Sequence, residues 1–378
     1  MTKPKSILAG ILDGDSPSLG LEVVENLEGF AQLVGPWERL AESEPTPFCS
    51  HAWFSAWWDA FGEGGRLCIL VLWEGDELTA AYPLYRDGGL YRTMANVHSP
   101  LFRPLARDAT ALREITDAVL NFTSRRLAAE PLPEDDAVLT VLERAVVEAG
   151  ALALRARRHV SPIVDTTGDF ASWRGGSRPR WGAPLERFRR KMLRENDAEI
   201  RVVTVPEDLE AELTRGFAVE ASGWKGRAGT AILSSPNTER FYKNVARSAA
   251  ACGELRLSTI ALDGEIAAFD LTLLRNDRLY LLKTGFDERQ RRLAPGLVMR
   301  LSVIERCFEL GLAAHELLGD DSEWKRKFAT SSRSHLAIDV YAKRPRQLAT
   351  YAWRGTVRPA LARGRTSARR LTQLRANR

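Results

Sequence analysis

Residues 237–274, NTERFYKNVARSAAACGELRLSTIALDGEIAAFDLTLL, predict one helix followed by two strands. Apolar residues recur at helical spacing up to Gly253, and glycine is the residue that most easily takes the left-handed conformation at a helix end. The apolar run at 255–262 then predicts a strand. An Asp-Gly pair follows, which suits a hairpin turn because such turns need positive φ, and the next apolar run predicts the second strand.

The same order of elements occurs near the start of the chain. Residues 50–62, SHAWFSAWWDAFG, predict a helix that again ends at glycine, and the apolar run at 67–73 predicts a strand. The segment EGDELTAAYPLY at 74–85 supplies an acidic turn with glycine and a further strand. We interpret the two stretches as two copies of one α/β unit.

The rest of the chain supports an α/β protein of two domains. With 378 residues, of which 44% are hydrophobic, the chain has the size and composition of two globular domains. Helices are predicted at 111–130 and 133–149, and alternation of strands with helices is typical of α/β folds. In the helix predicted at 50–62, one face is expected to point into a core. This face carries Trp53, Trp57, Trp58 and Phe61.

We divide the chain where its composition changes. Residues 1–20 are rich in Gly, Ser and Pro and are predicted to be disordered. A first domain is predicted at 21–165, a second at 166–342 and a basic tail at 343–378. The segment SPIVDTTGDFASWRGGSRPRWG, at 161–182, is expected to cross from one domain to the other.

Cysteine usage and hydropathy favour the cytoplasm. The four cysteines lie far apart, in or beside apolar runs, and form no CxxC pair, which favours reduced core thiols over a disulfide or a zinc site. There is no run of eighteen apolar residues, and the apolar part of the first segment is too short for the core of a signal peptide. We therefore expect a cytoplasmic protein.

The positive charge of the chain is concentrated at its C-terminal end. The formal net charge is +5, but residues 343–378 contain Lys and Arg without any acidic residue, so that the remainder of the chain is mildly acidic. An acidic body argues against a nucleic-acid groove in the folded core. The tail itself is expected to give weak, salt-sensitive attraction to anionic lipid or to nucleic acid.

A glycine-rich loop is predicted at 222–232, SGWKGRAGTAI. It combines three glycines with Trp224, Lys225 and Arg227, and loops that carry exposed aromatic and basic residues are often functional. The spacing of the glycines is not that of a Walker loop, so a nucleoside triphosphate site is not supported.

Residues 278–311, RLYLLKTGFDERQRRLAPGLVMRLSVIERCFELG, predict a strand, an arginine-bearing loop and a helix that begins at Pro295 and Gly296. Proline suits the first turn of a helix, and the N–H groups and dipole of a helix start attract an anion. A glycine at this point lets the anion approach closely. The alternative is an ordinary strand–loop–helix crossover with solvated arginines, and the local sequence does not separate the two.

Two carboxylates follow the next predicted strand, at 315–318. Asp320 and Asp321 stand at a strand end, where catalytic groups of open α/β sheets tend to lie. The alternative is that one of them caps the following turn. The five histidines are scattered without an i, i+4 pair, so no metal site is predicted, and the absence of a GxSxG elbow weakens a hydrolase interpretation.

Several segments form an ordered set: PFCSHAWFSAWWDAFG, EGDELTAAYPLY, EASGWKGRAGTAI, RFYKNVARSAAACGELRLSTIALDGEIAAFD, LYLLKTGFDE, the Pro-Gly helix start and LLGDDSEWK. In this order, over about three quarters of the chain, they resemble the cellulose-biosynthesis-type (CelD/BcsL) acetyltransferase family of the GNAT superfamily. The resemblance implies two tandem GNAT-like domains with mixed sheets flanked by helices, an arrangement shared with Fem-type peptidyltransferases. It agrees with the repeat described above.

The resemblance also implies a reaction and a set of residues. In GNAT enzymes an acyl group passes from a coenzyme A thioester to an amine, which requires a base for the amine and donors for the oxyanion. The strand, loop and helix at 280–297 would hold the coenzyme, although RLAPG at 292–296 departs from the usual Q/RxxGxG/A loop. The implied catalytic residues are the bases Glu220 and Asp320 or Asp321 and the donors Lys283 and Tyr280. Those implied for the coenzyme are Gly285, Phe286, Arg292, Pro295, Gly296 and Leu297, and those for the substrate are Trp224 and Lys225.

The expected protein is an N-acyltransferase that uses acetyl-CoA or another acyl-CoA as co-substrate. The resemblance alone indicates a sugar amine or an envelope-polysaccharide precursor as acceptor. A Fem-like transferase that uses aminoacyl-tRNA is one alternative, which the basic tail favours and the acidic body does not. A non-catalytic binding protein with a GNAT fold is another, and the altered loop is the feature that favours it.

Overall fold

The computed structural model describes residues 19–176, 179–195 and 197–357. The N-terminus predicted to be disordered, 1–20, lies outside these ranges except for its last two residues, which begin the first strand. The part of the basic tail after residue 357 also lies outside them. Within the described ranges helices and strands alternate around a large mixed sheet, so the predicted α/β fold class is confirmed.

The order of elements repeats along the chain. The first half contains β1 (Leu19–Val24), α1 (Leu27–Gln32), α2 (Val34–Ala41), α3 (His51–Phe61), β2 (Arg66–Glu74), β3 (Glu77–Asp87), β4 (Leu90–Thr93), β5 (Leu105–Ala106), α4 (Ala109–Phe122), β6 (Leu127–Pro133), α5 (Ala137–Glu148) and β7 (Leu152–Asp165). The second contains α6 (Phe170–Gly175), α7 (Pro179–Glu195), β8 (Glu199–Thr204), α8 (Leu209–Ser222), α9 (Trp224–Arg227), α10 (Pro236–Ala251), β9 (Leu255–Leu262), β10 (Glu265–Arg275), β11 (Arg278–Phe286), α11 (Pro295–Glu309), β12 (Ala314–Glu316), α12 (Glu323–Phe328), β13 (Ser331–Tyr341) and α13 (Pro345–Ala352). The order α3-β2-β3-β4-α4-β6-α5-β7 therefore recurs as α10-β9-β10-β11-α11-β12-α12-β13.

The helix predicted at 111–130 is wrong in its second part. Helix α4 ends at Phe122, and the segment LAAEPLP forms strand β6 in the interior of the sheet. This segment lacks the β-branched residues that mark many strands. Its conformation follows from pairing with β13 and from burial of Leu127 and Leu132, since tertiary context overrides strand propensity. The helix predicted at 133–149 accordingly starts later, at Ala137.

The two glycines that end the repeated helices do so in different ways. Gly253 has a φ of 70°, as expected for a left-handed helix stop. Gly62 keeps right-handed geometry, with a φ of −75°. Steric contact explains this glycine, because a Cβ at position 62 would lie 2.5 Å from the indole of Trp58. The left-handed residue follows at Gly64, whose φ is 79°.

One continuous sheet joins the two halves. Its strand order is β1-β2-β3-β4-β6-β13-β7-β12-β11-β10-β9-β8, and β5 pairs with β3 beside this path. The last strand of each half lies within the other half, because β13 lies between β6 and β7 while β7 lies between β13 and β12. Strands β7 and β13 pair antiparallel along the whole of β13, from Ser331 opposite Ile163 to Tyr341 opposite Leu152.

The parallel strand pairs of the described sheet, one in each half, are short and leave openings. Strands β11 and β12 pair over 278–280 and 314–316, and β11 then continues to Phe286 without this neighbour. In the first half β4 and β6 pair over two residues only. There the opening is filled by loop 94–102, in which Phe102 is buried and donates its N–H to the Pro131 carbonyl at 2.7 Å.

An aromatic cluster joins the halves on one face of the sheet, where α3 packs against α10. The ring centres of Trp53 and Phe61 lie 5.1 and 5.3 Å from that of Phe241. Phe48 contacts Tyr280 of β11 at 5.3 Å. The stripe predicted on the first helix therefore faces a core, and that core is shared by both halves.

In the described ranges no helix combines the length and the apolar character needed to cross a membrane. The four cysteines are free, and Cys49, Cys68 and Cys307 are buried as predicted. Cys252 is exposed instead, because it is the C-cap of α10 and lies past the apolar face of that helix.

Because each half completes its sheet with a strand of the other, we expect both halves to unfold in one transition. Phe54→Ala in the first half and Phe269→Ala in the second each remove a buried ring, at a cost of about 3–5 kcal/mol. Either change should lower the temperature of the same calorimetric peak, with equal calorimetric and van't Hoff enthalpies. The exposed control Val147→Ala should leave that peak in place. Two peaks, each moved by only one of the variants, would show that the halves unfold independently.

Candidate functional site

A cavity of about 300 Å³ lies at the carboxyl end of β11, where the sheet opens. Its walls come from β11, the end of α8, α9, the 3₁₀ turn at Glu288–Leu293, the start of α11 and α12. More than half of the residues predicted for the site line it, namely Glu220, Trp224, Lys225, Gly285, Phe286, Gly296 and Leu297. The fold thus gathers residues from two distant sequence segments at one place.

The first turn of α11 forms one end of the cavity. Pro295 occupies the first helical position, and Ala294 before it has left-handed backbone angles, with φ 51° and ψ 47°. Because an alanine has no side-chain acceptor, α11 begins without a side-chain cap. The dipole and the N–H groups of such an uncapped first turn attract an anion, so this end of the helix suits a phosphate or a carboxylate.

Two glycines set the width of the cavity through close contacts. At Gly285 an added Cβ would lie 2.5 Å from the Cα of Glu220, so β11 and α8 approach as closely as their backbones allow. At Gly296 an added Cβ would lie 3.2 Å from Cδ1 of Phe286. Any larger residue at either position would therefore displace a wall of the cavity.

The arginine that reaches the cavity is Arg291, and not the predicted Arg292. Both residues are exposed in the 3₁₀ turn at Glu288–Leu293, but Arg291 is the one whose atoms line the wall. Pro295 is buried beside the cavity without lining it. The run RQRR signals a basic loop, but the sequence does not tell which side chain of a 3₁₀ turn faces a ligand.

Glu220 is buried, and both of its carboxylate oxygens are engaged. Oε1 accepts a hydrogen bond from Nζ of Lys225 at 3.0 Å, and Oε2 accepts one from the N–H of Ile232 at 2.8 Å. Lys225 also donates to the carbonyl of Thr284 at 2.7 Å. These contacts hold the segment after α8 against β11. The carboxylate of Glu220, which the sequence suggests as a base, is therefore already hydrogen-bonded.

Glu288, which the sequence analysis did not single out, holds the other side of the same segment. It accepts hydrogen bonds from the side chain of Arg227 and from the N–H of Trp224, both at 2.8 Å, and these hold the pKa of Glu288 below its usual range. Residues 224–227 form the short helix α9 in place of the predicted loop, with Gly226 so close to α8 that a Cβ would lie 1.9 Å from the Ala221 carbonyl. Trp224 remains 57% exposed and forms a wall of the cavity.

Lys283 lies beside the cavity, on the face of β11 that packs against α10. Its Nζ lies 4.7 Å from the ring centre of Tyr242. Burial lowers the pKa of Lys283 to about 8, while the charge of Glu220 opposes this shift and the charge of Lys225 adds to it. A buried ammonium with a lowered pKa is a common feature of sites that transfer protons.

The structure does not bring the remaining predicted catalytic residues to the cavity. Tyr280 is buried in the aromatic cluster, where burial raises its pKa and its hydroxyl donates to the Pro45 carbonyl at 2.8 Å. Asp320 and Asp321 are exposed in the turn after β12, and Asp321 pairs with Arg326 at 3.1 Å. Since β12 ends at residue 316, the chain leaves the sheet before it reaches the level of the cavity.

A buried charged cluster behind the cavity was not foreseen from the sequence. Arg300 of α11 donates to Asp270 of β10 at 2.8 Å and to Nε2 of His315 of β12 at 2.6 Å. His315 donates from Nδ1 to the Leu279 carbonyl at 2.9 Å, and burial together with the charge of Arg300 lowers its pKa to about 3. The guanidinium also lies 5.6 Å from the ring of Trp324, which lines the cavity. The cluster therefore fixes α11, and with it the direction of its first turn.

One pair of histidines lies together in the sheet. His159 and His335 stack across β7 and β13 with their ring centres 4.4 Å apart. Among the described residues, however, no group of three or more His, Cys, Asp and Glu side chains is arranged to hold a metal ion.

The segment that forms the cavity has recognisable relatives. Residues 183–326 match the acetyltransferase (GNAT) domain. The matched segment begins within α7 and ends within α12, so it includes every wall of the cavity. A comparison with curated proteins gives no match.

Solved structures resemble the chain beyond the GNAT domain. One is the C-terminal domain of a protein described as a lysylphosphatidylglycerol synthetase from Agrobacterium fabrum, with a TM-score of 0.54, 13% identity and coverage of 85% of this chain and 97% of that one. FemX has a TM-score of 0.54 at 10% identity, with coverage of 84% and 96%. A conserved protein of unknown function from Bacteroides thetaiotaomicron has a TM-score of 0.51 at 13% identity, with coverage of 82% and 97%. At such identities the likeness shows the fold alone, and the fold extends over both halves.

The contacts of Glu220 predict that it anchors the segment at 223–232. Glu220→Gln should keep the bond to Ile232 but lose the ion pair with Lys225, so that the segment opens and trypsin cuts after Lys225 or Arg227 several times faster. Glu212→Gln is the matched control, because Glu212 is a buried carboxylate on the same helix that pairs with Arg201 instead. Equal cleavage rates at these sites in the two variants would contradict the anchoring role.

Proposed function

We propose that the protein is an N-acyltransferase that moves an acetyl or other acyl group from acyl-coenzyme A to an amine. The observation that carries this proposal is the uncapped start of α11, with Gly296, at the open carboxyl end of β11 within the GNAT domain. An opening with apolar walls that leads to a helix start suits a ligand with a long arm and a phosphorylated end. Acyl-coenzyme A has both parts.

The described side chains fit such a donor. The first turn of α11, at Pro295 and Gly296, would hold the pyrophosphate, with Arg291 at the wall of the cavity and Arg292 exposed in the same 3₁₀ turn. Phe286 and Leu297 would contact the arm of the coenzyme together with Gly285. When bound, the donor supplies the activated acyl group, and the residues of the chain orient it and exclude water.

Lys283 is the proton donor that best suits the transfer. As the amine attacks the thioester carbonyl, a C–N bond forms and the C–S bond breaks, so the sulfur needs a proton and the nitrogen must lose one. With a pKa of about 8, Lys283 is mainly an ammonium at neutral pH and matches the pKa of a thiol, about 8.5. Its charge would stabilise the oxyanion, and it would protonate the sulfur as the C–S bond breaks. The neutral Lys283 amine left by that step would then take up the proton that the nitrogen loses.

The carboxylates that line the cavity already accept hydrogen bonds from the segment after α8, so we propose neither of them as a separate base. Glu220 and Glu288 line the cavity, and both are engaged in holding the segment after α8. Asp320 and Asp321, the other candidates, stand exposed away from it. We infer that the acceptor binds as the neutral amine, with Trp224 and Lys225 at its side of the cavity.

We further propose that residues 166–342 form the catalytic unit and residues 21–165 a related unit without a donor site. Helix α4 takes the place of α11 in the first unit, but Oδ1 of Asp108 caps it by accepting the N–H of Ala111 at 2.9 Å. That hydrogen bond lowers the pKa of Asp108, so a carboxylate already occupies the place of an anion. Loop 94–102 fills the corresponding opening in the sheet.

For the acceptor we propose a sugar amine or an envelope-polysaccharide precursor, and this choice rests on the CelD/BcsL resemblance. A Fem-like transfer from aminoacyl-tRNA is the rival. The likeness in fold to FemX and the basic tail favour that rival. In either case the tail is proposed to add weak attraction to anionic lipid or nucleic acid.

Calorimetric titration with acetyl-coenzyme A tests the donor site. We expect the wild-type protein to bind and Gly296→Val to lose binding by at least tenfold, because a branched side chain would stand between the first turn of α11 and Phe286. Gly175→Val is the control, since a Cβ at that position meets no atom of the described residues within 4 Å. All three proteins should unfold at similar temperatures.

The outcomes of this titration separate the candidates. Normal binding by Gly296→Val would exclude the start of α11 as the donor site. Binding of aminoacyl-tRNA in place of acetyl-coenzyme A would favour the Fem-like transferase. Binding of neither would favour a protein that recognises a partner without catalysis.

The proposed role of Lys283 predicts a pH dependence with a definite sign. The ammonium is the active form, so kcat should fall as the pH rises through about 8, where the proton is lost. Lys283→Met should lower kcat by roughly 10²-fold or more. Lys283→Arg keeps a cation throughout pH 6–10, so the fall in kcat should occur at a higher pH in this variant. Initial rates of thiol release at pH 6–10 measure the pH dependence of kcat. If kcat falls at the same pH in Lys283→Arg as in the wild type, the titrating group is not Lys283.

A further inference from the structure

A histidine of the first half lies next to the aromatic ring that supports Lys283. His98, in loop 94–102, places Nδ1 3.3 Å from the hydroxyl of Tyr242 and Nε2 3.4 Å from Oγ1 of Thr238. The ring of Tyr242 lies under Nζ of Lys283, at 4.7 Å. A chain of contacts therefore runs from the first half, through α10, to β11 beside the cavity.

The protonation states along this chain follow from the surroundings. Burial raises the pKa of Tyr242, so its hydroxyl keeps the proton and can donate it in a hydrogen bond to Nδ1 of His98. Burial, with a contribution from the charge of Lys283, lowers the pKa of His98 to about 4, so the ring is neutral at physiological pH. When Nδ1 accepts from Tyr242, the single proton of the neutral ring is on Nε2, which can donate to Oγ1 of Thr238.

The first half holds His98 in place independently of these partners. The N–H of His98 donates to Oδ1 of Asn96 at 2.9 Å, and the N–H of Asn96 donates to Oγ of Ser99 at 3.2 Å. The imidazole stacks on Phe61 of α3, with ring centres 5.4 Å apart and planes within 12° of parallel. The ring thus meets α10 in a fixed orientation.

We propose that His98 is a positioning residue for acyl transfer: it orients Tyr242, and Tyr242 holds the ammonium of Lys283 beside the donor cavity. This inference rests on the proposed role of Lys283. An ammonium above an aromatic ring is stabilised by the negative face of the ring. The other charged groups that face Lys283 are Glu220 from α8 and Lys225 from α9, which are paired with each other. The first half, without a donor site of its own, thereby completes the site of the second.

Four variants test this proposal. His98→Phe keeps a ring to stack on Phe61 but removes the acceptor, and Tyr242→Phe removes the donor. His98→Asn restores an acceptor near the position of Nδ1. Val97→Ala is the matched control, because Val97 is the neighbouring residue in the loop and is 90% exposed.

Two measurements are made on each full-length protein. The first is the titration of Lys283 by NMR of protein labelled with ¹³C at lysine Cε, with the signal assigned by its loss in Lys283→Arg. The second is the pH profile of kcat and of KM for the amine acceptor. We expect the Lys283 titration and the alkaline limb of kcat to move down by about half a pH unit in His98→Phe and Tyr242→Phe, in line with the strength of cation–π contacts. We expect kcat to fall several-fold with little change in KM, His98→Asn to recover most of both effects, and Val97→Ala to behave as wild type.

The NMR titration separates failure of this proposal from failure of the proposed function. An unchanged Lys283 titration in both His98→Phe and Tyr242→Phe would overturn the positioning role, even if both variants were less stable. If the Lys283 titration and kcat were no closer to the wild-type values in His98→Asn than in His98→Phe, the positioning role would be overturned as well. If the titration moves as expected while the wild-type protein transfers no acyl group, the coupling of His98 to Lys283 stands and the acyltransferase function falls.

Discussion

The antiparallel pairing of β7 with β13 is the constraint on which the rest of the molecule depends. Strand β7 pairs on its other side with β12. His315 of β12 accepts a hydrogen bond from Arg300 of α11, and this contact helps to determine where α11 lies. A change of register between β7 and β12 would move α11, and with it the anion-attracting first turn. The cavity at the end of β11 is therefore positioned by a strand of the first half, although all its wall residues belong to the second.

The charged cluster of Arg300, Asp270 and His315 ties α11 to β10 and β12 through directional contacts. Buried ion pairs seldom stabilise a protein relative to a well-packed apolar core. In this cluster Oδ1 of Asp270 and Nε of Arg300 have no hydrogen-bond partner among the described residues, so the network is not fully satisfied there. Its directional bonds nevertheless fix the rotation of α11 about its own axis, which apolar contacts alone define less sharply. That rotation decides which residues of the first turn face the cavity.

Local signals explain what the sequence predicted, and distant contacts explain what it did not. The repeated helix–glycine–strand–turn–strand order and the Pro295-Gly296 helix start are properties of short segments, so they are visible in the sequence. The separation of Tyr280 from the cavity depends on Pro45, which reaches it only through packing of the two halves. His98 has no local pattern around it. The sequence also does not predict that β7 and β13 each lie within the other half of the sheet. This placement changes the neighbours of each strand without changing which of its faces is buried.

The position of β13 near the end of the sequence also has a consequence for synthesis of the protein. The chain after Asp165 must grow by roughly 170 residues before Ser331 emerges, which takes on the order of 10–30 s at the usual elongation rates. During this interval β6 and β7 lack the strand that lies between them in the finished sheet, and their edges expose unpaired N–H and C=O groups. The first half is therefore vulnerable to aggregation while the second is being made, and a chaperone that shields strand edges would act most usefully at that stage.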